Sequence, residues 1–152
     1  MIRTALTDFL GVKHPILNAP MATSATAELA AAVSGSGGFG MLGMGNTTPD
    51  PEWLEFQIKR VREITDKPFG VGFITSVNGI DELVGVAVKN KVDLIGHSFS
   101  DPAPYMAEAQ NEGIKVLAQV QTVGQAINAR DIGVDLIVAQ GIDGGGHIGH
   151  IG

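Results

Sequence analysis

The sequence predicts an α/β fold with a parallel sheet, and three observations carry that prediction. Six short apolar runs rich in Val, Ile, Leu and Gly alternate with five stretches of helical character. The runs are nearly continuous in apolar residues, as expected of parallel strands whose two faces are both covered. The tetrapeptide VDLI opens two of them, at 92–95 and 134–137, a weak internal repeat consistent with βα units.

The elements follow in order. PILNAPM (15–21) reads as a first strand ending in a turn, where Pro20 fixes φ and lacks a donor. ATAELAAAVSGSGG (25–38) is an Ala-rich helix with Leu29, Ala32 and Val33 at helical spacing, stopped by 34–38. FGMLGMG (39–45) is the second strand. TTPDPEWLEFQIKRVREIT (47–65) opens with Thr48 as N-cap and Pro49 at the first helical position, and Leu54, Ile58 and Val61 mark its core face. PFGVGFIT (68–75) is the third strand. NGIDELVGVAVKNK (78–91) turns Ile80, Leu83, Val84 and Ala87 inward. VDLIGHSF (92–99) is the fourth strand. DPAPYMAEAQNEG (101–113) is a helix bracketed by Asp101 as N-cap, Pro102 and Gly113. IKVLAQV (114–120) is the fifth strand. TVGQAINARDIG (122–133) begins with a capping box, Thr122 with Gln125, and VDLIVAQG (134–141) is the sixth strand. With no linker or low-complexity segment, residues 1–152 are expected to form one domain.

Two architectures fit this order: an open doubly wound sheet, or a (β/α)8 barrel of TIM type lacking its last quarter. A complete barrel takes about 250 residues, and the chain has 152. Composition narrows the function classes. A net charge of −6 carries no basic nucleic-acid footprint. Without cysteine there are no disulfides, thiolate nucleophiles or Cys-type zinc sites. The N-terminus lacks an apolar signal core, and no apolar run approaches the roughly 18 residues of a membrane span, so a cytoplasmic protein with no membrane contact is expected.

In either architecture ligands sit at the carboxyl ends of the strands. Those ends are 18–22, 43–46, 73–76, 97–100, 119–122 and 140–150. They hold glycines and uncharged polar groups and lack acidic pairs, so glycosidase-like chemistry is poorly supported. Lys and Arg are lacking there as well, so a phosphate would have to rest on backbone N–H groups. Glutamines and backbone amides suit a neutral heteroaromatic ring with many hydrogen-bonding sites, as a flavin presents. Plainer readings stand beside these. Gln119 and Gln140 fit a polar rim, His14 a surface loop, and His97 a satisfied core histidine. The closing GIDGGGHIGHIG (141–152) fits a disordered tail, a metal clip through His147 and His150, or an active-site loop with His147 as a base near neutral pH. The metal reading has only Asp143 as a nearby carboxylate, and no metal is expected.

PILNAPMA, ELAAAVSGSGGFGMLG, PFGVGFIT, VLAQVQT and above all DLIVAQGIDGGGHIG, in that order, resemble the nitronate monooxygenase family, formerly the 2-nitropropane dioxygenases. The resemblance runs from Pro15 to the end of the chain. It implies a TIM barrel that binds FMN, here stopping after six strands, so that the phosphate-binding loops after strands seven and eight lie outside the sequence. By this resemblance Ala19, Pro20, Met21 and Ala22 run beside the flavin ring. Gln140 and Gly145 match FMN contacts, His147 matches the base acting on the nitro compound, and Gln119 and Gln121 face the flavin from a strand end. Gly72 stands where many members have Asn, so that amide contact is missing. The implied reaction takes a nitronate or nitroalkane and oxygen to a carbonyl compound and nitrite. An alternative is an FMN-dependent NAD(P)H reductase of quinones or enoyl thioesters on the same scaffold. Another is an incomplete, inactive chain that associates with itself or another chain through open sheet edges.

Overall fold

The computed structural model describes residues 2–45 and 50–147. Its elements alternate as expected: α1 (Ala5–Leu10), α2 (Ala27–Gly35), β1 (Gly40–Met44), α3 (Pro51–Ile64), β2 (Phe69–Ile74), α4 (Ile80–Lys89), β3 (Leu94–Ser98), α5 (Ala103–Asn111), β4 (Lys115–Val120), α6 (Val123–Asp131), β5 (Leu136–Ala139) and a 3₁₀ turn, Ile142–Gly144. The sheet is wholly parallel, in the order β1-β2-β3-β4-β5.

One expected strand is not formed. Residues 15–21 make only a single parallel bridge, Leu17 to Phe39. Phe39 N donates to Ile16 O at 2.9 Å, and then the pairing passes to a side chain. Asn18 Oδ1 accepts from Met41 N at 2.8 Å, and Asn18 Nδ2 donates to Met41 O at 2.9 Å. The carboxamide thus satisfies the edge of β1 as a peptide group would. The main chain is released to turn at Pro20, which has no N–H to offer a ladder.

Helix starts also differ from expectation. Thr48 and Pro49 lie outside the described residues, and α3 uses the second Pro of TTPDP: Asp50 accepts from Trp53 N at 2.9 Å, with Pro51 as first helical residue. Asp101 accepts from Ala103 N, but the N-cap of α5 is Pro102. The helix α1, absent from the expected set, is closed by a Thr4–Thr7 capping box. The Thr122–Gln125 box forms as expected, with Gln125 N donating to Thr122 Oγ1 at 3.1 Å and Thr122 N to Gln125 Oε1 at 3.1 Å. Replacing Thr122 by Ala is expected to cost about 1 kcal/mol. An unchanged urea midpoint would show the box to be dispensable.

The VDLI repeat has a structural counterpart. Asp93 accepts from Phe69 N at 3.0 Å, and Asp135 accepts from Val116 N at 2.8 Å. Each aspartate, entering its own strand, satisfies an amide at the start of the strand before it.

Side-chain alternation divides the core in two. Leu42, Phe69, Val71, Phe73, Ile95 and Val116 pack outward against the inner faces of α2 to α5, including Leu54, Ile58, Val61, Ile80, Leu83, Val84 and Ala87. Met41 and Leu94 point to the other face, with Leu117 and Leu136, where Leu6 and Leu10 of α1 cover them. Because Leu94 opens β3 and Lys115 opens β4, α1 lies at the amino ends of the strands, and Lys115 Nζ sits 5.4 Å from the Phe9 ring centroid. The carboxyl ends are left for a ligand. No described helix is long and apolar enough to cross a membrane.

Candidate functional site

A cavity of about 400 Å³ opens on the inner face at the carboxyl ends of the strands. That is within the range of small-molecule sites. Its walls come from the segment before α2 (Asn18, Ala19, Pro20), the inner positions of the strands (Met41, Leu117, Gln119, Val138) and the loop after β5 (Gly141, Gly144, Gly145).

A row of glycines seats the chain at 20–21, and its member Gly96 also lines the cavity. Gly43, Gly72 and Gly96 are paired in register on three adjacent strands. A Cβ on Gly72 would lie 2.4 Å from both Cβ and Cγ of Pro20, and one on Gly43 would lie 2.4 Å from the Met21 backbone. The chain at 20–21 therefore rests directly on the sheet. Gly72 lies under Pro20 and is not part of the cavity wall; neither are Met21, which is exposed, nor Ala22.

Gln119 and Gln140 line the opposite wall, and Gln121 backs them. Gln140 Oε1 accepts from Gln119 Nε2 at 2.6 Å and from Gln121 Nε2 at 3.2 Å, while Gln140 Nε2 donates to His147 O at 3.0 Å. His147 is exposed, and Gly145 and Gly146 before it have φ of 73° and 68°, a conformation side chains resist. The structure thus brings Ala19, Pro20, Gln119, Gln140 and Gly145 together and sets the His147 loop against them. His150 and Asn46 lie outside the described residues. The strand-end reading of the sequence misses the apolar lining residues Leu117 and Val138, although they sit two positions before Gln119 and Gln140, the spacing that puts strand residues on one face.

His97 borders the cavity, yet its ring is turned away from the amide wall. Its side chain belongs to the helix-covered face, 2% exposed, with Nδ1 2.9 Å from Thr75 Oγ1 and Nε2 unpartnered among the described residues. Its ring stacks on Tyr105 at 5.1 Å, and the Tyr105 hydroxyl donates to Asp81 at 2.7 Å. Burial pushes the imidazole pKa down to about 4. The expectation of a satisfied core histidine therefore holds for one nitrogen and fails for the other.

A parallel α/β sheet with a ligand cavity at its carboxyl ends, formed by amides and a glycine loop, is the working face of an α/β barrel of the TIM type. Comparison with known proteins gives the family. The family model for nitronate monooxygenase matches residues 3–82, and the chain belongs to that family. FabK (M276A) from Thermotoga maritima superposes with a TM-score of 0.93 at 39% identity, over 99% of this chain and 50% of that one. A nitronate monooxygenase of Paraburkholderia phytofirmans is 31% identical over 97% of this chain and 50% of its own length. The (3aS,4S,5R,7aS)-5-hydroxy-7a-methyl-1-oxo-octahydro-1H-indene-4-carboxyl-CoA dehydrogenase of Rhodococcus jostii is 28% identical over 99% of this chain and 42% of its own length. The chain therefore spans about half the length of these relatives or less.

Proposed function

We propose that this chain carries the cofactor-facing half of an FMN-dependent oxidoreductase that oxidises nitronates or nitroalkanes with oxygen to a carbonyl compound and nitrite. One observation carries the reading: an uncharged, amide-walled cavity at the strand ends, with the His147 loop tied to its wall. The residues suit the ring of a flavin. They offer apolar surface at Pro20, Met41, Leu117 and Val138, and amide groups at Gln119 and Gln140. The positive φ of Gly145 and Gly146 gives a loop without side chains along the edge of the space. Ala19, Pro20, Gln119, Gln140 and Gly145 would hold FMN; Met21, Ala22 and Gly72 would act by seating Pro20. When bound, FMN supplies the electron transfer and oxygen chemistry.

The protein's own part is proton handling and placement. The exposed imidazole of His147 takes the α-proton of a nitroalkane or, protonated, pairs with the nitronate anion. Among the described residues the cavity wall holds no Lys or Arg, so an anion there meets no fixed cation, and the imidazolium gains in effect. A cytoplasmic setting belongs to the same proposal.

A second reading, a flavin-dependent NAD(P)H reductase of enoyl thioesters or quinones, is favoured by the 39% identity to FabK and by the CoA-ester dehydrogenase among the relatives. Titrating the purified chain with FMN and recording difference spectra tests the shared premise. No spectral change would overturn both readings for this chain. With FMN bound, oxygen uptake on adding a nitronate supports the first, and NAD(P)H oxidation with an enoyl thioester or quinone supports the second. Replacing His147 by Asn is expected to lower nitroalkane turnover about tenfold or more; equal turnover would remove His147 from the reaction.

A further inference from the structure

The amide of Gln140 is engaged at both ends. A carboxamide oxygen has two lone pairs and its nitrogen two protons. Oε1 uses both lone pairs, on Gln119 Nε2 and Gln121 Nε2. Nε2 gives one proton to His147 O, leaving a single N–H for any ligand.

The polarity of the whole group follows from one partner. A backbone carbonyl only accepts, so the end of Gln140 facing His147 must be NH2. Its oxygen then faces Gln119 and Gln121, and these must present NH2 in turn. Reversing the three amides together would set Gln140 Oε1 against the His147 carbonyl. One main-chain oxygen in the glycine loop thereby orients three side chains on two segments.

Few other restraints act on this loop. Among the described residues its other backbone bond is Gly144 N to Gly141 O at 3.1 Å, and two of its glycines occupy the left-handed region. The Gln140 bond spans seven residues and fastens the far end of the loop to the strand from which it leaves.

We infer that Gln140 is a positioning residue, a latch that holds the His147 main chain against the Gln119 and Gln121 amides and so keeps the loop beside the cavity. The latch stands on geometry alone; its functional weight rests on the role of His147 proposed above. Gln140 thus acts through the loop and the neighbouring amides in addition to the single N–H it can offer a ligand.

The test uses the whole 15N-labelled chain without cofactor, in the parent and in the variants Q140E and Q140L. Q140E keeps two acceptors for Gln119 and Gln121 but turns an oxygen toward the His147 carbonyl; Q140L removes both sets of bonds. The heteronuclear NOE of Gly144, Gly145, Gly146 and His147 amides is expected to be near the value for β2 and β3 in the parent and to fall well below it in both variants. The amides of β2 and β3 should keep their shifts, which shows the fold to be intact. Low values in the parent, or unchanged values in Q140L, would overturn the latch. FMN titration of the same samples separates the two ideas. A parent chain that holds its loop but binds no FMN sinks the cofactor reading and leaves the latch in place. With binding present, a several-fold weaker Q140E supports the link between them.

Discussion

As pH falls from 6.5 toward 4, the folded protein is expected to lose about 3 kcal/mol of stability to His97 alone. The unfolded chain takes up a proton on this imidazole below its ordinary value of 6.5, whereas in the folded protein burial holds the ring neutral down to about 4. Between those values the unfolded state binds more protons, so stability falls as pH falls. Above pH 6.5 both states are neutral there and the effect vanishes. The cause is visible in the surroundings: Nδ1 has Thr75, Nε2 has no partner among the described residues, and the Phe73 and Tyr105 rings flank the imidazole. The Asp81 carboxylate, which faces this cluster, is engaged by the Tyr105 hydroxyl. A charged ring would leave an N–H unpaired in an apolar layer. Urea unfolding above pH 6.5 and near pH 4 measures the loss. In His97→Gln the slope should largely disappear over this range. The surface carboxylates of Glu28, Glu55 and Asp66, also held below their ordinary values by hydrogen bonds, act mainly at lower pH. An identical slope in His97→Gln would refute the assignment.

Adding one methyl group at Gly72 is expected to disturb the site far more than the same change at Gly96, its partner on the next strand. The new Cβ would stand 2.4 Å from two ring carbons of Pro20, and a proline ring has no rotamer to move away. Either the strand or the 18–21 segment must shift, at a cost of about 1–3 kcal/mol. The segment is exposed, so it should yield first and loosen the Asn18 pairing with Met41. Gly96 is the internal control: its added Cβ would come no nearer than 3.4 Å to any atom, and that atom is the flexible tip of Met41. Gly72→Ala should therefore lower the urea midpoint and shift the Asn18 side-chain amide resonances, and Gly96→Ala should do little of either. Equal effects at the two positions would mean that Pro20 does not rest on Gly72.

These two sites also show what the sequence makes legible. The strands β1 to β3 are readable because parallel strands buried on both faces need long apolar runs; β4 and β5 carry similar runs, yet β4 alternates between buried and half-buried positions and β5 is largely exposed, so double burial fails there. The Leu54, Ile58 and Val61 stripe is fully buried as its spacing implies. PILNAPM fails as a strand because Asn18 substitutes a side-chain amide for the next backbone pair, a device with no periodic trace. TTPDP holds two cap-plus-proline pairs in tandem, so its sequence fits either start. The short α1 escapes because its capping box has Thr at the third position in place of Glu or Gln. The strand-end rule gathers Gln119, Gln140 and the glycine loop. That Gly72 serves Pro20, and that Gln140 holds a carbonyl seven residues on, depends on distances across the fold that local pattern does not encode.

Strand order equals chain order in this sheet, and each βα unit leans mainly on its neighbours. Such a stack behaves like a one-dimensional array, in which units zip and fray in sequence. The last unit is the least supported: α6 buries only Ala129, and in β5 Ile137 and Val138 are 41% and 42% exposed. Yet this unit carries Gln140 and the His147 loop, so local unfolding there removes one wall of the cavity while the rest of the protein stays folded. Ligand affinity is then the intrinsic affinity multiplied by the fraction of molecules in which β5 is docked. Anything that covers β5 raises that fraction, and tightens binding without touching the ligand.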